Sequence, residues 1–177
     1  MEFNINEPGN NEAFGEESVA VVNTEATPLI ALRQRRQEII DELYMDLRVP
    51  RWDDPEIYVR FKPVSASRLN GAIERRRKQK ADNWSILANA DMLVDACVGI
   101  YASFDGGETQ YSLRLDDPEG KWTKFDHELA SALGLDDAKS AAEACLGLYL
   151  TEGDLIDAAN RLFKWSGIVI DEADETF

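Results

Sequence analysis

Histidine is almost missing from this chain: His127 is the only one in 177 residues. With no second imidazole there is no histidine pair at metal-ligand spacing, and the adjacent Asp126 and Glu128 point away from it on a helix. His127 is therefore read as a surface residue. Cysteine is scarce as well. Cys97 and Cys145 both fall in apolar helical patterns and are expected as buried, reduced thiols, not as a disulfide frame. Glycine never gathers into a phosphate-cradling loop, and Gly106-Gly107 reads as a turn. No serine or cysteine lies in a nucleophile motif. An enzyme, a cofactor and a bound metal are accordingly not expected. Long uncharged apolar runs are absent too: none reaches the roughly 18 residues of a membrane span. The opening MEFNINEPGNNEAFGEES lacks the basic-then-apolar order of a secretory leader. Bases are outnumbered, 19 Lys and Arg against 34 Asp and Glu, for a net charge of −15. Such a charge disperses the protein and repels nucleic acid, so neither nucleic acid nor a membrane is an expected partner.

What is present is organised around Asp82–Phe104. Ile86, Ala90, Leu93, Cys97 and Ile100 recur at steps of four and three, the stripe of a 3.6-residue period. Leu87, Val94, Val98 and Tyr101 widen that stripe, and Asp82 stands where a cap would. The segment predicts one central helix over 84–103 that needs partners on more than one side.

The rest supplies them. Residues 1–26 carry six acids and no base and lack a periodic apolar face, so a disordered acidic tail is expected. Thr27-Pro28 reads as a helix start, and Leu29, Leu32, Ile39, Ile40, Leu43 and Leu47 carry a helical stripe to about Arg48, with Pro50 as the stop. Ile57, Val59 and Phe61 alternate with Tyr58, Arg60 and Lys62 as a strand does. Ser65 or Ser67 can cap the next helix, whose inner face is Leu69, Ala72, Ile73 and Arg76. Tyr111, Leu113 and Leu115 alternate as a second strand, followed by a turn at 117–120. Thr123 with Asp126, Ser140 with Glu143, and Thr151 with Asp154 each resemble a capping box before an amphipathic run. Ser166-Gly167 closes the last of these.

The fold expected is therefore mainly α: a compact helical domain over 27–167 around one central helix, with a small two-stranded β element. A disordered acidic tail precedes it, and a short acidic tail, 168–177, follows.

Two patches could bind a partner. Residues 27–80 carry 13 bases against eight acids; Arg68 begins a basic segment whose run is Arg75, Arg76, Arg77, Lys78, Gln79 and Lys80. This run could hold phosphates, but it has no aromatic interleaving, and pairing with the chain's own acids or a partner's is the favoured reading. Trp165, Ile168 and Ile170 could form an apolar patch or pack back onto the central helix. Asp91 and Asp95 share a helix face and are read as solvated or paired with arginine.

The order of these pieces resembles a known family. RWDDPEIYVRFKPVS, a basic helix, WSILANADMLVDACVGIY, KFDHELASALGL and LYLTEGDLIDAANRLFKWSG together resemble the tail assembly chaperones of long-tailed bacteriophages, especially those infecting actinobacteria, over roughly residues 50–167. The resemblance implies a non-enzymatic factor in the host bacterial cytoplasm. It would bind the tape measure protein, keep it soluble, help recruit tail tube protein, self-associate, and be missing from the mature virion. Two other readings stand beside it: a structural or connector protein of the phage head or tail, and an acidic regulator of a host enzyme.

Overall fold

The structure is a computed structural model that describes residues 28–80, 82–114 and 122–168. The expectations for residues 1–26, for Leu115 and the turn after it, and for Ile170 and the acidic C-terminal tail fall outside those residues. The chain divides into two units, Met1–Ile40 and Asp41–Phe177. Nearly all of helix α1 (Pro28–Glu42) belongs to the first. α1 has no buried residue. Its Arg35 Nη1 donates to Glu38 one turn on, at 3.0 Å.

The second unit corrects the expected fold class. It holds a four-stranded antiparallel sheet in the order β1-β2-β3-β4, not a two-stranded element in a mainly-α domain. Its strands are β1 (Met45–Asp53), β2 (Glu56–Phe61), β3 (Cys97–Ser103) and β4 (Tyr111–Ser112). Its helices are α2 (Ala66–Lys78), α3 (Trp84–Ala96), α4 (His127–Ala132), α5 (Ala141–Tyr149) and α6 (Glu152–Trp165).

Two elements account for the difference. The first helix does not run on to Arg48; it ends at Glu42, and Met45 opens a strand. Pro50 stops no helix. It sits in β1, an edge strand, where a missing N–H disturbs no outer neighbour. Arg48 pairs with Tyr58, the register then breaks, and Arg51 takes a φ of 70° within the irregularity. The expected central helix is also cut short. α3 ends at Ala96, and Cys97 turns extended at φ −63° and ψ 121°. Val98-Gly99-Ile100-Tyr101 is a run of weak helix formers, and Val98, Ile100 and Tyr101 suit a pleated sheet. β3 lies along the whole of β2, from Glu56 opposite Ser103 to Phe61 opposite Cys97.

One face of the sheet meets the helices. Leu47, Val49, Ile57, Val59, Phe61 and Ile100 are buried with Met92 and Leu93 of α3 and with Leu155, Leu162 and Phe163 of α6. Ala88, Ala90 and Ala96 on α3, all buried, let the backbones of its neighbours α2, α5 and α6 approach. Caps fix the helix ends. Ser65, Ser140 and Thr151 accept from the backbone N–H three residues on, as their spacing predicts. Asp126, not Thr123, caps α4, and Thr123 bridges to Ile100 instead. Asn83, not Asp82, stands at the N-cap of α3, with no side-chain bond.

The other face of the sheet is covered by an arginine-aromatic layer. Arg60 donates twice to Asp46, both at 2.7 Å. Its guanidinium lies 3.9 Å from the Tyr44 ring centre and 4.7 Å from that of Trp122. Tyr58 and Tyr101 stack at 5.4 Å, and Trp122 tilts against Tyr101 at 4.8 Å. Burial and the nearby Asp46 push the Tyr101 phenol above its ordinary range, and the Asp46 hydrogen bonds raise the Arg60 guanidinium further. Trp122 can lie so close because Gly99 beneath it has no Cβ.

Candidate functional site

The β1-β2 hairpin turns outward at Trp52–Pro55, and α4 and the end of α5 rise beside it. Between them lies an apolar cleft of about 500 Å³. Ile57 from β2, Leu129 from α4 and Leu148 from α5 line it as buried side chains. Trp52, Pro55, Leu113 and Leu133, half-buried, line it too. Trp52 is held by its indole Nε1, which donates to the Leu148 carbonyl at 2.9 Å. Asp54 and Glu128 are exposed acids on the same lining, and Arg114 reaches Glu128 at 3.4 Å. The volume is in the range of pockets that take a small ligand or a few side chains. Apolar walls with Asp54 and an Arg114–Glu128 ion pair at the edge suit an apolar side chain.

Sequence reasoning missed this cleft. Trp52, Ile57 and Leu129 each read as a member of its own element, and no pattern in the chain brings the hairpin to α4. A signal was present in Trp52 and Pro55, large apolar residues set within a turn that is otherwise charged.

Arg76 and Arg77 of the basic run are engaged within the domain. Arg76 is half-buried and donates twice to Asp91 of α3, at 2.7 and 2.5 Å. That pair lies in a second, more polar cleft of about 280 Å³, with Arg75, Asp95 and the start of α5 around it. Arg77 covers the Trp84 ring at 4.4 Å. Arg75, Arg76, Arg77 and Lys78 fill the last turn of α2, where cations oppose the negative end of the helix dipole. Arg68, Arg75 and Lys78 are exposed.

Trp165 and Ile168 pack, half-buried, against the core. Ile168 N donates to the Phe163 carbonyl and Gly167 N to that of Lys164, with Gly167 at φ 77°. This left-handed helix ending folds Ile168 back onto its own helix. The predicted basic patch is split between the two ends of α2: Val64, just before α2, donates to Ser166 Oγ, so the end of α6 lies by the start of α2, where Arg68 stands, and Arg75 to Lys78 are at the other end, roughly 15–20 Å along the axis.

The thiols are held protonated: burial pushes Cys97 up to about 12 and raises Cys145 well above its usual value. Neither is a ready nucleophile. His127 is exposed at the first position of α4. No helix of the described residues is long and apolar enough to cross a membrane. No protein-family model matches the sequence, and neither does any curated protein or solved structure.

Proposed function

We propose that this chain is a non-catalytic assembly factor, a tail assembly chaperone of a long-tailed bacteriophage. In this reading it works in the host bacterial cytoplasm, binds the tape measure protein, keeps it soluble, helps bring tail tube subunits to it, and stays out of the mature virion. The observation that carries the reading is the apolar cleft between the β1-β2 hairpin and α4. A long helical client exposes an apolar stripe, and a cleft of this size takes side chains from such a stripe by helix-in-groove docking. The charge of −15 supports the role, because a complex with an aggregation-prone client stays dispersed when it is strongly charged. The resemblance over residues 50–167 points the same way.

Co-expression with the phage's tape measure protein tests it. The wild-type chain should raise the soluble fraction of that client. Ala132→Arg, at an exposed position of the cleft wall, should remove the effect while the variant stays folded. No gain in client solubility with the wild type would sink the chaperone reading. Full activity in Ala132→Arg would move the docking surface elsewhere. Mass spectrometry of purified particles adds a second check, since stoichiometric amounts in the virion would indicate a structural protein instead.

A further inference from the structure

The end of α6 and the start of a basic helix face are neighbours. Ser166 Oγ, just past α6, accepts from Val64 N at 3.1 Å, and α2 opens two residues after Val64. Along α2, Arg68, Gly71, Arg75 and Lys78 follow one another at steps of three, four and three, which is a single stripe. Arg68, Arg75 and Lys78 are exposed, and none of them forms an ion pair among the described residues. Gly71 puts no side chain between them, and Arg75 Nη1 reaches back over it, 3.8 Å from where a Cβ would stand. In a chain of net charge −15, three cations on one open face call for a negative occupant.

The chain supplies one at the right place. Residues 169–177 follow Ile168 directly and carry Asp171, Glu172, Asp174 and Glu175 with no base. Nine residues of extended chain span up to about 30 Å, and α2 is about 20 Å long, so the segment reaches the far end of the stripe. The spacings agree as well. Arg68 and Arg75 are about 10 Å apart along the helix, and so are Asp171 and Asp174 along an extended chain. Lys78, one turn further, then lies within side-chain reach of Glu175.

We infer that residues 169–177 dock along α2 with their carboxylates on Arg68, Arg75 and Lys78. The contact is an intramolecular cover. Each exposed ion pair is weak and screened by salt, but the segment is tethered beside its site and so is present there at high effective concentration. It keeps the stripe from other acidic chains until salt or a denser negative charge displaces it. The inference does not rest on the chaperone reading, which concerns the cleft between the β1-β2 hairpin and α4.

A nitroxide spin label on the full chain tests it. Cys97 and Cys145 are buried, so a thiol-reactive label attaches selectively to Thr176→Cys. Amide resonances of residues 68–78 should broaden at about 0.05 M salt and recover at about 0.5 M. Asp171→Lys, Glu172→Lys, Asp174→Lys and Glu175→Lys together leave α2 untouched and should abolish the broadening. Adding Arg68→Glu, Arg75→Glu and Lys78→Glu to that variant should bring it back, with helix content by circular dichroism unchanged. Sharp α2 resonances in the low-salt wild type overturn the inference. So does broadening that survives the four tail reversals, which would not be electrostatic. Spin-labelled chain mixed with unlabelled, isotope-enriched chain should leave the latter's α2 resonances sharp; broadening there means that the segment reaches another copy, and it overturns the intramolecular cover.

Discussion

Replacing Gly99 by alanine tests how the sheet's second face is held together. A Cβ at Gly99 would stand 2.7 Å from Trp122 Cβ and 2.8 Å from Trp122 Cε3. Carbon atoms prefer about 3.5–4.0 Å, so Trp122 must withdraw by roughly 1 Å. One of the obstructing atoms is the first of the side chain, so rotating the ring does not clear it. The backbone is pinned beside it: Ile100 N donates to the Thr123 carbonyl at 2.8 Å. Withdrawal therefore loosens the tilted contact with Tyr101 and the stacking of Arg60 as well. Overpacking of this kind costs about 1–3 kcal/mol, and the lost ring contacts add about 1 kcal/mol. Alanine's lower backbone entropy returns about 0.5–1 kcal/mol. A net loss of about 1–3.5 kcal/mol follows, or a fall in Tm of roughly 2–14 °C. Urea unfolding followed by far-ultraviolet circular dichroism measures it. In a Trp122→Gly background, which removes both obstructing atoms, the same substitution should cost about 0.5 kcal/mol or less. Equal costs in the two backgrounds, or no cost in the first, would refute the account of Gly99.

Two further outcomes are expected. Leu150 ends α5 at φ 61° and is 56% exposed, so Leu150→Gly relieves a conformation that favours glycine while losing little burial. It should raise stability by about 1 kcal/mol, read as a rise in urea midpoint. The Thr109 side chain and the Thr109 N, at 2.8 Å, hydrogen-bond to Asp105, as does Ser103 Oγ at 2.7 Å, and these bonds hold its carboxyl down to about 2. Because its pKa is lowered in the folded chain, its contribution to the 103–109 turn is whole above the unfolded value near 4 and fades as pH falls through about 2. The Thr109 amide resonance should titrate in that window and should stop doing so in Asp105→Asn.

The sequence announced its helix starts better than its chain reversals. Ser65, Ser140 and Thr151 each cap where a hydroxyl precedes an apolar run, because capping is local and its spacing is written within four residues. β2 was legible for a similar reason: its Ile57, Val59 and Phe61 face the helices, and Tyr58 and Arg60 face the other way, so period two survives. β3 was not, because both its sides are covered, by helices on one and by Trp122 and Tyr58 on the other. Buried on nearly every residue, it carries no alternation, and Cys97 and Ile100 happened to continue the helical stripe of α3. In β1 the misleading residue was Pro50, whose meaning depends on whether its strand is an edge. The cleft was hidden for a stronger reason, since its walls come from residues about 80 to 100 positions apart and only the packing of α4 and α5 beside the hairpin brings them together. The pairing of Arg76 with Asp91, 15 positions apart, follows from how α2 and α3 fold against each other.

Trp52 bonds to Leu148 across 96 positions, Val64 to Ser166 across 102, and Arg51 to Asp154 across 103. The order of synthesis gives these ties a consequence. When a ribosome has delivered β1 and β2, the side chains that will cover Leu47, Val59 and Phe61 are still unmade; those of α3 come next and those of α6 last. The hairpin leaves the exit tunnel with one greasy side bare, and the domain closes only once α6 has been made. Until then the hairpin carries exposed apolar surface of the kind that favours aggregation.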